Sequence, residues 1–272
     1  MSIPLSLAEK LLYSTLKISA LNQGASTGTG TGFFMSFNKA ENRSMPVIIT
    51  NKHVVEGADE ISIKLHLKGA DQRSSGTFIT KRISLQNTLY NHPDPNIDLC
   101  AILIADIVRD AQTSQQPILF APITMDMLPE QDDWQYFDAI EEITMVGCPN
   151  GIMDNTNNFP IVRKGITATS PSVLYEGKPE FMIDMACFPG SSGSPVFLYN
   201  SQGYLDRRTN TYKMGMPRLK LLGVLYSGPY VTNTGQIILA KTASFRVSSM
   251  MHLGQVIRSS ELKVLEQEML NT

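Results

Sequence analysis

Phe188-Pro189-Gly190-Ser191-Ser192-Gly193-Ser194-Pro195-Val196-Phe197 sets two serines between two glycines and a third just after them, and runs at once into apolar, strand-forming residues. Glycines at 190 and 193 open backbone conformations closed to other residues, so the segment reads as a tight turn presenting a serine at the mouth of a strand. Such a serine becomes a nucleophile only beside a base of pKa near 7, an acid that orients the base, and backbone donors for an oxyanion. Two upstream segments supply these types. Val47-Ile48-Ile49-Thr50-Asn51-Lys52-His53-Val54-Val55 is an apolar strand delivering a histidine at its end. His92-Pro93-Asp94-Pro95-Asn96-Ile97-Asp98-Leu99-Cys100-Ala101-Ile102 is a turn followed by a buried strand. Asp98 leads directly into the strand, whereas Asp94 is clasped between prolines on the loop, so Asp98 is the preferred partner of His53. Of the three serines, only Ser192 has glycine both two residues before and one residue after. A lone histidine, aspartate or turn serine is ordinarily structural; the chemistry is carried by the three motifs together. His66, on the polar face of an alternating strand, His92 in a Pro-rich loop and His252 near the C-terminus are read as structural.

Together these segments resemble the chymotrypsin/trypsin-like serine protease family, most closely its bacterial branch without disulfides. The order His, Asp, Ser is that family's order and differs from those of α/β and subtilisin-type hydrolases. Gly190-Ser191-Ser192-Gly193-Ser194-Pro195 matches its G-x-S-G-x-P turn, Thr50-Asn51-Lys52-His53-Val54 its T-x-x-H-V segment, and Asp98-Leu99-Cys100 its aspartate segment. Thr31-Gly32-Phe33-Phe34, Val146-Gly147-Cys148-Pro149-Asn150-Gly151 and Leu222-Gly223-Val224 extend the likeness over residues 24–242. The resemblance implies an all-β fold of two six-stranded antiparallel β-barrels with short N- and C-terminal helices. Residues 1–110 would hold the N-terminal helix and the barrel bearing His53 and Asp98. Residues 111–272 would hold a crossover, the barrel bearing Ser192, and the C-terminal helix, the two parts forming a single catalytic unit.

The same resemblance implies a serine endopeptidase with catalytic His53, Asp98 and Ser192 and an oxyanion hole from the N–H groups of Gly190 and Ser192. The specificity pocket would be lined by Ala186, Cys187 and Phe188 on one side and Tyr226, Ser227 and Gly228 on the other. None is acidic, which argues against a buried Lys or Arg side chain and for a small or medium uncharged one before the cut. Cys187 lies off the serine turn and reads as a pocket-wall thiol. Ser191 stands where secreted members carry an aspartate that pairs with a cleaved N-terminus, so activation of that kind is not expected. No metal and no organic cofactor is required. The expected partner is a protein or peptide substrate, with an activating protein partner as a further candidate. Analogy with stand-alone bacterial peptidases of this type adds a role in cell defence or stress signalling. The competing readings are an idle peptide-binding module of the same fold and a protease latent until bound.

Composition fits this outline. The chain has 272 residues, 42% hydrophobic and 18% charged, with a net charge of −2. That is globular usage, with no basic excess to attract nucleic acid. The longest apolar run, Leu99–Ala105, is too short to span a bilayer as a helix. The N-terminus lacks a signal-peptide layout, which points to the cytoplasm. Cys100, Cys148 and Cys187 form no disulfide framework and are expected to be reduced and mostly buried. Ser6-Leu7-Ala8-Glu9 is a capping box opening a short helix, and residues 260–270 carry a second with Leu262, Leu265 and Met269 on one face. That second helix is expected to pack on its own barrel, or to dock a partner. Strand character marks Gly32–Phe37, Val47–Thr50, Ile61–Lys68, Asp98–Ile104, Ile143–Val146, Pro160–Thr169, Phe181–Asp184, Leu221–Tyr226 and Gln236–Thr242. Turn clusters are read at Gly24–Gly32, His92–Asn96, Cys148–Asn158 and Asn200–Gly203. Ile107–Glu130 is read as a crossing between halves, and Tyr199–Lys220 as a protruding polar hairpin, or alternatively as a loop that contacts a substrate or partner.

Overall fold

The capping box forms as read: Glu9 N–H donates to Ser6 Oγ at 3.1 Å and Ser6 N–H to Glu9 Oε2 at 2.7 Å, opening α1 (Leu7–Ser14). The computed structural model describes residues 4–39, 43–228, 230–236 and 244–271. The first half contributes β1 (Thr15–Asn22), β2 (Ala25–Lys39), β3 (Arg43–Thr50), β4 (Glu60–Lys68), β5 (Ser74–Ser84), β6 (Leu89–Asn91) and β7 (Cys100–Leu103). After α2 (Ala105–Thr113) come two short strands, β8 (Ile118–Leu119) and β9 (Ile123–Thr124). The order is β5-β4-β1-β2-β3-β7-β6, with β8 joined to β4 and β9 to β2, making one nine-stranded sheet. The pairing follows an open path; no ring of strands closes in this half among the described residues.

The second half contributes β10 (Glu142–Gly147), β11 (Ile161–Thr167), β12 (Glu180–Asp184), β13 (Pro195–Asn200), β14 (Gly203–Asp206), β15 (Thr211–Met214) and β16 (Arg218–Ser227). It ends with β17 (Tyr230–Gln236), β18 (Ser244–Met250), β19 (Leu253–Arg258) and α3 (Ser260–Asn271). Here β10-β11-β12-β19-β16-β13 close into a six-stranded barrel. The pairs β14-β15 and β17-β18 are separate two-stranded hairpins, the first being the polar hairpin read within Tyr199–Lys220. Of the strand expected at Gln236–Thr242, residues 237–242 lie outside the described residues.

Four expectations need correction. Gly24–Gly32 is a turn only at its start, and the rest is β2. Gly28, Gly30 and Gly32 alternate with threonines at strand period, and bulk rather than flexibility explains two of them. A Cβ on Gly30 would stand 2.5 Å from a Val54 methyl, and one on Gly32 would stand 2.6 Å from Ile18. Second, the stretch read as a crossing holds a helix, α2, and its strands β8 and β9 add to the first sheet beyond residue 110. Third, His66 is not on an open polar face. It is buried among Tyr13, Phe78 and Phe159, with Nε2 3.1 Å from the Asn158 carbonyl. Burial lowers its pKa and favours the neutral ring.

The fourth concerns α3. Its stripe of Leu262, Leu265 and Met269 enters a core shared by both halves, containing Phe33, Phe37, Ile49 and Leu99 from the first and Val146, Phe197 and Val224 from the second. Separate cores fill the first sheet, around Ile18, Ile48 and Ile61, and the barrel, around Phe181, Val196 and Val256.

Candidate active site

Antiparallel pairing of β3 with β7 sets Thr50 opposite Cys100, so the residues just past each strand meet at one end of the sheet. A 3-10 turn, Lys52–Val54, follows β3 and carries His53. Asp98 immediately precedes the buried Leu99. Its Oδ2 lies 2.5 Å from His53 Nδ1, and its Oδ1 accepts the His53 backbone N–H at 3.1 Å. Buried Asn51 donates from Nδ2 to the Asp98 carbonyl at 2.7 Å and fixes that backbone. Burial alone would raise the Asp98 pKa. The hydrogen bond and charge of His53, with the backbone N–H groups of His53 and Lys52, outweigh it and hold the carboxyl below its usual value. Asp94 does none of this. Its Oδ1 accepts from Asn96 and its backbone carbonyl from Lys52 Nζ, both at the surface.

The turn that carries Ser192 is held by backbone hydrogen bonds. Ser194 N–H donates to the Ser191 carbonyl at 3.0 Å and Gly193 N–H to the Leu225 carbonyl at 2.8 Å. Gly190 and Gly193 have φ of 79° and 86°. A Cβ on Gly193 would also stand 1.9 Å from the Thr31 carbonyl oxygen, so glycine is required there twice over. The Pro189 carbonyl accepts Asn150 N–H at 2.6 Å, which aims the Gly190 N–H of the same trans peptide the opposite way. Among the described residues the N–H groups of Gly190 and Ser192 have no hydrogen-bond acceptor. Ser192 Oγ donates to the Tyr226 carbonyl at 3.3 Å rather than to His53.

Thr31 joins the two halves at this turn. Its N–H donates to the Ser192 carbonyl at 2.9 Å, and its Oγ1 donates to the Gly190 carbonyl at 2.9 Å. The same Oγ1 accepts Cys148 N–H at 2.9 Å, and the Thr31 carbonyl accepts Thr50 Oγ1 at 2.7 Å. Sequence reading placed Thr31 in a familiar motif without this role. A threonine in a Gly-Thr repeat carries no pattern that announces it.

His53, Ser192 and Gly190 line one cleft of about 350 Å³. Five of the six expected pocket residues line it too: Cys187, Phe188, Tyr226, Ser227 and Gly228. Ala186 does not; its carbonyl accepts Arg163 Nη1 behind the wall. Thr27, Gly28, Thr29 and Glu56 line it as well and were not foreseen, the first three because Gly24–Gly32 was read as a turn. Tyr226 OH donates to buried Glu180 at 2.9 Å, and His252 packs edge-on against Phe188 at the rim. Cys148 and Cys187 are pushed by burial up to about 11, and Cys100 higher still, so the thiols are protonated and inert at neutral pH.

The family model described as a trypsin-like peptidase domain matches residues 30–205. Among solved structures, the serine endoprotease from Yersinia pestis is similar, with a TM-score of 0.50 and 15% sequence identity over 99% of this chain and 68% of that one. At that identity the likeness concerns the fold. No curated protein matches the chain.

Proposed function

The chain belongs to the trypsin-like peptidase family, and on that premise we propose that it is a serine endopeptidase working through His53, Asp98 and Ser192. The observation that carries the proposal is the His53–Asp98 pair at 2.5 Å in the same cleft as Ser192. Ser192 Oγ attacks the scissile carbonyl as its proton passes to His53 Nε2, while Asp98 holds the Nδ1–H tautomer and stabilises the imidazolium. The N–H groups of Gly190 and Ser192 take the oxyanion. His53 then returns the proton to the leaving amine, and a water, activated the same way, releases the acyl group from Ser192. In this reading the first sheet, with His53 and Asp98, is the counterpart of the family's first barrel, and residues 111–272 carry the second. The neutral walls at Cys187, Phe188, Ser227 and Gly228 favour a small or medium uncharged residue before the cut. Restricted cleavage of a protein partner in a reducing, cytoplasmic setting accords with three free, buried thiols.

The bond from Ser192 Oγ to the Tyr226 carbonyl favours a second reading, a resting enzyme awaiting a signal. Magnitude weighs against it. A neutral hydrogen bond contributes about 1 kcal/mol net, which holds the hydroxyl aside by less than about tenfold. Rotation about one side-chain bond on substrate binding overcomes that, and catalytic hydrogen bonds are often loose before substrate arrives. Incubation with a peptide library, wild type beside His53→Ala and Ser192→Ala, tests the proposal. Cleavage after small uncharged residues by wild type alone is the expected result. Cuts confined to Arg or Lys sites would overturn the pocket assignment, and cleavage surviving Ser192→Ala would overturn the mechanism.

A further inference from the structure

The loop from Ala186 to Ser191 lends residues 187–190 to the cleft, and besides its bonds from Thr31 and Asn150 it has a tether from a strand that the reaction does not otherwise use. Arg163 sits within β11, opposite Met145 of β10, where barrel pairing fixes its stem. Its Nη1 donates to the Ala186 carbonyl at 2.5 Å and to Ser191 Oγ at 3.1 Å. Ser191 Oγ also faces Phe188 N–H, at 3.4 Å. One guanidinium nitrogen therefore ties together both ends of the loop whose course sets where Gly190 and Ser192 present their N–H groups.

The rest of that guanidinium is poorly served. Nε and Nη2 are enclosed without a hydrogen-bond partner. The groups whose charge bears on it are the Cys187 and Cys148 thiols, which burial pushes up to about 11 and so leaves neutral at pH 7. An enclosed cation with no anion and unmet donors is costly, and an apolar side chain would be the more stable choice. Fold stability does not account for an arginine here, whereas the shape of the loop does.

We propose that Arg163 is a positioning residue that holds the 186–191 loop in the form needed to receive an oxyanion, so that the site is assembled without any cleaved terminus. The proposal rests on the peptidase reading above. Its test compares wild type, Arg163→Met and Arg163→Lys by three measurements: rate of labelling with a fluorophosphonate, melting temperature, and hydrogen–deuterium exchange of the 186–193 segment. Loss of a single oxyanion donor costs about 10²–10³ in rate, so a loosened pair of donors is expected to slow labelling about tenfold or more in Arg163→Met. Exchange should quicken in residues 186–193 alone, with the melting temperature unchanged or raised, and Arg163→Lys should recover part of both. Wild-type labelling and loop protection in Arg163→Met would overturn the proposal. So would a loss that Arg163→Lys does not relieve, or one that tracks a fall in melting temperature and faster exchange throughout the barrel. Failure of wild type itself to label would count against the peptidase reading alone, since the exchange comparison still decides the role of Arg163.

Discussion

Asp98 and His53 form the contact on which the proposed chemistry depends, and replacing a single atom isolates it. Asp98→Asn keeps the shape but favours the wrong imidazole tautomer, so fluorophosphonate labelling should fall by about 10⁴ with the fold intact. The pH dependence of stability has a definite sign. The folded-state pKa of Asp98 is lowered, so its contribution is complete above the unfolded value of about 3.9 and is lost as pH falls through the lower folded value. The melting-temperature gap between wild type and Asp98→Asn should stay constant from about pH 7 to 5 and shrink below about pH 4. A gap that closes near neutrality would mean that Asp98 is not held ionised by His53. At this scale the sequence was legible where residue type and order are distinctive, as with His53, Asp98 and Ser192. Thr31 and Arg163 were not, because their roles arise from hydrogen bonds across strands far apart in the chain.

Among the elements, β2 shows why turn-forming composition misleads. Its glycines alternate at strand period because Val54, Ile18 and Ile48 press against that face, so the stretch pairs as sheet despite residues that punctuate loops elsewhere. Gly30→Ala forces a methyl onto Val54, the residue after His53. It should destabilise by about 1–3 kcal/mol in denaturant melts and slow labelling by displacing His53. Wild-type stability with wild-type labelling would mean that Val54 yields freely. At α1 the sequence was fully legible, since the capping box is local. Ser6→Ala should cost about 1 kcal/mol, read by the same melts. Helix α2 escaped notice because its N-cap residue, Ile104, offers no side-chain cap and the helix buries only Ala111.

Across the whole molecule, the core shared through α3 and the Thr31 bonds bind the sheet to the barrel. Unfolding should therefore be a single transition, with fluorescence of Trp134 in the second half and far-ultraviolet dichroism coinciding; separate midpoints would show independently stable halves. Burial keeps the three thiols protonated, so a thiol reagent at pH 8 should leave the native protein almost unmodified and react at Cys100, Cys148 and Cys187 only after denaturation. The β-rich class was readable from many short runs of strand character between turn clusters, but which strands close into a ring depends on pairings between distant segments that no local pattern encodes. The central claim, that this cleft houses an activated serine, is met most directly by treating the native protein with a fluorophosphonate and mapping the adduct by peptide mass spectrometry. The account predicts one adduct, on Ser192, abolished by His53→Ala; an unmodified Ser192, or equal modification of Ser191 and Ser194, would contradict it.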